Sequence, residues 1–347
     1  MSGDIHIRRR GVAGRITLTR AKALNALTYD MVLAMDAALQ DWAADPSVAL
    51  VIIDAEGDKA FCAGGDIQKL YETGLAGDYA YGRQFWQDEY RMNARLAEYP
   101  KPVVSFLQGF VMGGGVGVGC HASHRVVCES TQIAMPECGI GLVPDVGGSL
   151  LLARAPGRLG AYLGLTAARM GPGDAIRAGF ADLFIPQNEW SDAVSDLETS
   201  GNIRALTSRE GLSPGAEYAA RAEVIDSLFC NDLAGVEQAL EGREDTFSAA
   251  ALKAIRRNSP LAMATTLALL SRLGDGATIR DALRLEYRVT SRAMQHGDFI
   301  EGIRAQIIDK DRNPHWKHAL SDVSAAEAEA MLAPAEGGDL TFEEERS

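Results

Sequence analysis

The apolar and polar positions change rhythm along this chain, from short alternating or continuous runs to long helical ones. Ile16-Thr17-Leu18-Thr19 alternates as a half-buried strand does. Leu27, Met31, Met35, Ala38, Leu39 and Trp42 then share one helical face, with Thr28 and Asp30 at its start. The apolar run Val48–Asp54 predicts a buried strand leading to a turn at Ala63–Asp66, where Asp66 is suited to cap a helix starting at Ile67. A helix is expected over about Asp78 to Tyr99, ended by Pro100 and Pro102. The apolar run from Pro102 to Met112 predicts one more buried strand, then Gly113-Gly114-Gly115 and a small-residue helix in Val116–Cys120.

His124–Met135 reads as a pair of short strands, broken by Pro136-Glu137 and again by Pro144–Gly148, before a helix in Ser149–Gly160. Asp174–Gly179 is a helix with a glycine stop leading into Phe180–Ile185. Beyond about Asn188 the patterns are helical only, near Glu217–Phe229, Leu261–Leu273 and Ile279–Met294. From about Pro334 the text turns polar, with Gly337-Gly338-Asp339 and Glu343-Glu344-Glu345, and a frayed end is expected. The expected division is therefore 1–190, 191–333 and an acidic tail, 334–347. Alternating β and α makes the class α/β, with a doubly wound sheet one way to build it.

Composition narrows the function more than the fold. At 347 residues, 47% hydrophobic and 23% charged, the chain has the make-up of a globular protein. A net charge of −13 argues against general nucleic-acid or acidic-membrane binding. No uninterrupted apolar run approaches 18 residues, and Arg8-Arg9-Arg10 is not followed by a signal core, so neither a membrane span nor a secretory signal is expected. The five cysteines contain no C-x-x-C, and four sit in apolar surroundings, which points to a reduced, cytoplasmic home.

The chemistry concentrates where strands turn into helices through glycine. Gly113–Gly115 leaves uncovered N–H groups at the positive end of a helix, a place suited to an oxygen gaining negative charge. Neither G-x-G-x-x-G nor G-x-x-x-x-G-K-[ST] is present, so dinucleotide and nucleotide-triphosphate readings fail. A second such turn, Lys59-Ala60-Phe61-Cys62-Ala63-Gly64-Gly65-Asp66-Ile67, offers another N–H, and two turns together suit an oxyanion hole for one carbonyl. Gly211-Leu212-Ser213-Pro214-Gly215 satisfies G-x-S-x-G but follows no strand, and Pro214 suits no helix start. His121 and His124 with Cys120 and Cys128 match no zinc spacing, so no metal is expected.

Lys59–Ile67, the run Met112–Gly117 and Ala134-Met135-Pro136-Glu137 followed by Asp145 and Gly147-Gly148 resemble the enoyl-CoA hydratase/isomerase (crotonase) superfamily. Within it they look most like the branch that hydrolyses 3-hydroxyisobutyryl-CoA, a step of valine breakdown. The likeness extends from Leu24-Asn25-Ala26-Leu27-Thr28 to Glu301-Gly302-Ile303-Arg304-Ala305 and Ile308–Asp311. It implies a ββα spiral core with a helical C-terminal region, an acyl-CoA substrate, no further cofactor, and a homo-oligomer (trimer or hexamer).

The resemblance also assigns residues. Gly65 and Gly114 match the two oxyanion-hole positions. Hydratases of the superfamily hold water with two glutamates; one matches Glu137, the other falls on Gly117, which has no side chain. Asp145 stands where hydratases typically carry glycine, so water is expected to be directed at the thioester carbon. Glu137 is implied as general base or nucleophile, Asp145 as the contact to the substrate β-hydroxyl or the attacking water. Glu89 and Gly117 are assigned to the substrate pocket. Lys22, Ala63, Gly64, Asp66 and Ile67 are assigned to CoA, and Arg20 and Lys59 are further candidates for its phosphates. The rivals are a hydratase or dienoyl-CoA isomerase of the same fold, and a non-catalytic acyl-CoA binder.

Overall fold

A computed structural model describes residues 3–342. They pack into two compact units, one holding residues up to Asp66 with Arg91–Ala134 and Arg169–Ala220, the other Ile67–Tyr90, Met135–Ala168 and the chain from Arg221 on. The division expected at residue 190 is one of sequence pattern: β9, Leu183–Phe184, is the last strand among the described residues. By packing, Met135–Ala168 goes with the C-terminal helices.

The first unit carries the strands. β1 (Ile5–Arg10) and β2 (Ala13–Leu18) form an antiparallel pair; β3 (Leu50–Ala55), β5 (Val103–Leu107), β7 (His124–Val127) and β9 extend it in parallel into a six-stranded sheet. β4 (Ala60–Cys62), β6 (Phe110–Met112) and β8 (Gln132–Ala134) make a second, three-stranded parallel sheet. Three passes of the chain, β3–β4, β5–β6 and β7–β8, thus give one strand to each sheet before a helical segment, the ββα spiral. β3 and β5 read as continuous apolar runs because parallel strands are covered on both faces. Helix Trp190–Ser200 covers the larger sheet through Ala193, Val194 and Leu197 against Leu50, Ile52, Val104 and Phe106.

The helix expected from Thr28 runs Tyr29–Ala44, with Thr28 Oγ1 accepting from Met31 N–H at 3.3 Å and the expected apolar face buried. Two expectations need correction. Pro102–Met112 is not one strand: the chain leaves the large sheet at Gln108-Gly109 and enters the small one. Gly109 has φ +58, and a Cβ there would stand 2.2 Å from the Lys59 carbonyl oxygen, so the corner demands glycine. Asp66 caps no helix; Ile67 is the N-cap of Gln68–Leu75, while the Asp66 carboxylate takes Arg20 Nη2 at 3.0 Å.

The second unit is helical. Helix Pro260–Arg272, capped by Ser259, packs against Gly148–Arg154 and Leu159–Thr166, and helix Ile279–His296, opened by the Thr278/Asp281 capping box, also meets Gly148–Arg154. The segment Ser149–Gly160, expected as one helix, is two, parted at Pro156. No helix among the described residues is long and apolar enough to cross a membrane.

The frayed tail expected from 334 is also corrected, as far as 342. Leu340 and Phe342 are buried, Phe342 lies under the guanidinium groups of Arg280 and Arg284, and Asp339 pairs with Arg288. Residues 343–347 lie outside the described residues. A chain ending at Ala333 is therefore expected to lose roughly 2–4 kcal/mol of stability relative to one ending at Phe342, read as a lower urea midpoint. Equal midpoints would show that these contacts contribute nothing.

Candidate active site

The two glycine turns lie side by side in the first unit. β4 and β6 are parallel neighbours, with Cys62 opposite Val111, so the chain leaves both at the same end. It turns through Ala63-Gly64-Gly65 after β4 and through Gly113 into helix Gly114–Gly119 after β6. The helix starts this close because it has no Cβ in the way: one on Gly115 would stand 2.2 Å from the Cys62 carbonyl oxygen.

The first turn is fixed by the segment before helix Tyr29–Ala44. Leu27 N–H donates to the Gly64 carbonyl at 2.9 Å, and Asp66 N–H donates to the Leu27 carbonyl at 2.7 Å. Buried Asn25 donates through Nδ2 to the carbonyls of Glu56 and Ala60. This pattern skips Gly65, whose N–H finds no acceptor among the described residues; nor does that of Gly114, the first residue of its helix. Two unspent N–H donors thus end two adjacent strands. Gly117 is buried one turn into the same helix.

Of the residues assigned to CoA, Ala63, Gly64, Asp66 and Ile67 are half-buried in or just after the first turn, and Lys22 and Lys59 are exposed. Arg20 is committed elsewhere: it reaches Asp66, lies 3.6 Å from Asp4, and donates to the Ala26 carbonyl. The G-x-S-x-G stretch is an open loop, with Leu212 97% exposed and Ser213 Oγ donating to the Pro214 carbonyl, so it forms no nucleophile elbow.

The acids gather in the second unit. Glu89 is 3% exposed, Glu137 4%, Asp145 5%, and a fourth carboxyl, Glu286, is fully buried. None pairs with a Lys, Arg or His among the described residues. Glu137 opens the 3-10 turn Glu137–Ile140, which is pressed against helix Phe299–Ile303; a Cβ on Gly302 would stand 2.1 Å from the Ile140 carbonyl oxygen. Asp145 precedes a tight turn in which Val146 has φ +53 and Gly147 φ +79, a left-handed path that a β-branched residue resists. Tyr90 Oη donates to Asp145 Oδ2 at 2.7 Å and lies 3.4 Å from Thr290 Oγ1.

Burial governs the protonation of all four. It pushes Glu137 well above the ordinary carboxyl range, and the charge on Asp145 adds to the rise. Glu89 is raised by the same two causes. Asp145 is raised to about 6 by burial, the Tyr90 hydroxyl pulling the other way. Burial also raises Glu286, against bonds from Ser149 and Gly147 that favour its charged form. Glu137 Oε2 is buried and has no hydrogen-bond partner among the described residues. The acids form no group that would hold a metal ion among the described residues.

The expected residues thus fall into two sets, Gly65, Gly114 and Gly117 in one unit and Glu89, Glu137 and Asp145 in the other. Tyr90, Ser149, Thr290 and Glu286 were not anticipated. A signal for Glu286 existed: it shares a helical face with Ala282, Leu283, Val289, Thr290 and Ala293, all buried.

The chain belongs to the enoyl-CoA hydratase/isomerase family, whose model matches residues 13–332. It is 36% identical to the mitochondrial 3-hydroxyisobutyryl-CoA hydrolase of Gallus gallus over 354 residues, 98% of this chain and 91% of that protein. The enzyme of that name from Rattus norvegicus is 37% identical, with the same coverage. Among solved structures, an enoyl-CoA hydratase from Rhodobacter sphaeroides 2.4.1 superposes with a TM-score of 0.95 at 56% identity, covering 98% of this chain and 100% of that one. A carnitinyl-CoA dehydratase from Mycobacterium thermoresistibile gives 0.94 at 40%, covering 99% of each.

The like charge on Asp145 makes a checkable prediction. In a carboxyl 13C NMR titration, Glu137 should titrate well above the ordinary glutamate range, and Asp145→Asn should move its midpoint to lower pH, because a repelling charge is gone. An unmoved midpoint would separate the two groups electrostatically.

Proposed function

We propose that this chain hydrolyses the thioester of 3-hydroxyisobutyryl-CoA, releasing 3-hydroxyisobutyrate and CoA in valine breakdown. The observation that carries the reading is the arrangement of acids. Gly117 offers no carboxylate on helix Gly114–Gly119, while Asp145 is buried in the same acid cluster as Glu137. A hydratase needs the first of these carboxylates to add water across a double bond, whereas a thioesterase needs only to bring water to one carbon. The relatives named as hydrolases, at 36–37% identity over nearly the whole chain, support the same choice.

The N–H groups of Gly65 and Gly114 take the thioester oxygen and stabilise it most when it becomes a tetrahedral oxyanion, by about 3 kcal/mol per donor. Glu137 in its charged form acts on the thioester carbon, either drawing a proton from water or attacking as nucleophile. An oxygen held buried and unpartnered among the described residues, as Glu137 Oε2 is, suits either role. Asp145, ionised above about pH 6, receives the substrate β-hydroxyl or the attacking water, and Glu89 and Gly117 line the acyl group. Exposed Lys22 and half-buried Ala63, Gly64, Asp66 and Ile67 meet CoA. The reaction asks for no cofactor beyond the substrate's own CoA. The location proposed is cytoplasmic, in keeping with four buried cysteines in a chain that forms no disulfide among its described residues; the relatives are named as mitochondrial enzymes. A trimer or hexamer is the proposed assembly.

A second reading, hydration of an enoyl-CoA, is favoured by the description of the Rhodobacter sphaeroides protein. Thiol release from 3-hydroxyisobutyryl-CoA and loss of enoyl absorbance from crotonyl-CoA, followed in parallel, decide between them. Thiol release is expected; enoyl turnover alone would overturn the reading, and neither would leave a binder. Glu137→Gln should lower kcat by about 10⁴-fold while the ester still binds; near-normal kcat would remove Glu137 from the chemistry. Asp145→Asn should cost a hydroxylated ester more than a plain isobutyryl ester, by about tenfold or more in kcat/KM. Equal losses would assign Asp145 to the water instead of the hydroxyl.

A further inference from the structure

Glu286 differs from the other acids in having both oxygens occupied. Oε2 accepts from Gly147 N–H at 2.8 Å; Oε1 accepts from Ser149 N–H at 3.2 Å and from the Ser149 hydroxyl. All three donors lie just past Asp145, on the turn where Val146 and Gly147 are left-handed and Gly148 N–H closes back on the Asp145 carbonyl at 2.7 Å. A valine in that conformation persists only where its surroundings hold it. The donors converge on one carboxylate, carried by helix Ile279–His296.

One turn further along that helix stands Thr290, whose hydroxyl lies 3.4 Å from Tyr90 Oη, the group that donates to Asp145 Oδ2. Positions 286 and 290 share a face of the helix. Asp145 is therefore held twice from one helix, through its backbone turn by Glu286 and through its side chain by Thr290 and Tyr90.

We propose that Glu286 is a positioning residue for the hydrolysis: by gripping the turn Gly147–Ser149 it fixes the direction in which Asp145 presents its carboxylate to the reacting groups. Glu286 acts through Asp145 and not on the substrate, and the inference rests on the role given to Asp145 above. The chemistry of the grip explains the residue type. Three donors meet two acceptor oxygens, so glutamine would set its own NH2 against Gly147 or Ser149 N–H, and aspartate would fall one methylene short.

The test is a double-mutant cycle in the full chain, measured as thiol release from 3-hydroxyisobutyryl-CoA. Glu286→Gln should lower kcat about 100-fold with KM within about threefold, the size of loss that a small misplacement of a reacting group produces. In an Asp145→Asn background the same change should cost less than about threefold, because the group it positions is already gone. A kcat within twofold of the parent, or an undiminished loss in the Asp145→Asn background, overturns the inference. Should Glu286→Gln fail to fold, Ser149→Ala carries the same cycle: it keeps both N–H donors and should cost about tenfold alone and little beside Asp145→Asn. A multiplicative loss there overturns the inference equally. If Asp145→Asn alone leaves turnover intact, the role of Asp145 itself falls, an outcome read from that single variant and distinct from the others.

Discussion

Four buried carboxyl groups, Glu89, Glu137, Asp145 and Glu286, with no basic partner among the described residues, set the terms for the helical unit. Moving a carboxylate out of water is costly unless donors or a proton compensate. The structure uses both remedies unequally. Glu286 has three donors, Asp145 one hydroxyl, and Glu137 leaves one oxygen with none. Glu137 and Glu89 are raised well above the ordinary range, Asp145 to about 6, and Glu286, for all its donors, to about 8. Burial, donors and the neighbouring charge, acting unequally on each, are what let neighbouring acids of similar chemistry hold different protonation states at one pH.

The strand-bearing unit solves a different problem, that of keeping donors unspent. A backbone N–H in the interior is normally claimed by a carbonyl. Here the bonds that anchor the first turn pass from Gly64 to Leu27 to Asp66 and omit Gly65, and the second donor heads a helix whose first N–H groups have no internal acceptor. Small residues make this affordable in space, since Gly115 admits the Cys62 carbonyl oxygen where any side chain would collide.

How much of this could be read from residues alone follows from what each pattern reports. Buried parallel strands and amphipathic helices have strong periods, so β3, helix Tyr29–Ala44 and helix Ile279–His296 were legible. Pro102–Met112 was not, because only Gln108-Gly109 interrupts the apolar run at the corner between the two sheets. Asp66 had the chemistry of a cap, but Arg20, 46 residues earlier, claimed its carboxylate. The tail looked polar enough to fray, yet Leu340, Phe342 and one ion pair suffice to seat it. Glu137 and Asp145 were legible only through their motifs; their burial together with Tyr90 and Glu286 depends on contacts between segments up to 200 residues apart.

On the mechanism proposed above, a carboxylate at position 145 and none at 117 gives the C-terminal helices a part in the chemistry. An acid at position 117 would sit on a helix packed into the strand-bearing unit, with its backbone fixed by the helix itself. Asp145 instead precedes a left-handed turn, Val146-Gly147, tied locally through Gly148 N–H on the Asp145 carbonyl. A group on such a turn loses its aim unless another element supplies the rigidity. Helix Ile279–His296 does so from both sides, with a carboxylate on the turn's N–H groups and a threonine behind the tyrosine that meets Asp145. The freedom gained by placing the acid on a loop is thus removed again by a helix whose Glu286 lies 139 residues beyond Gly147, and the two features make sense only together.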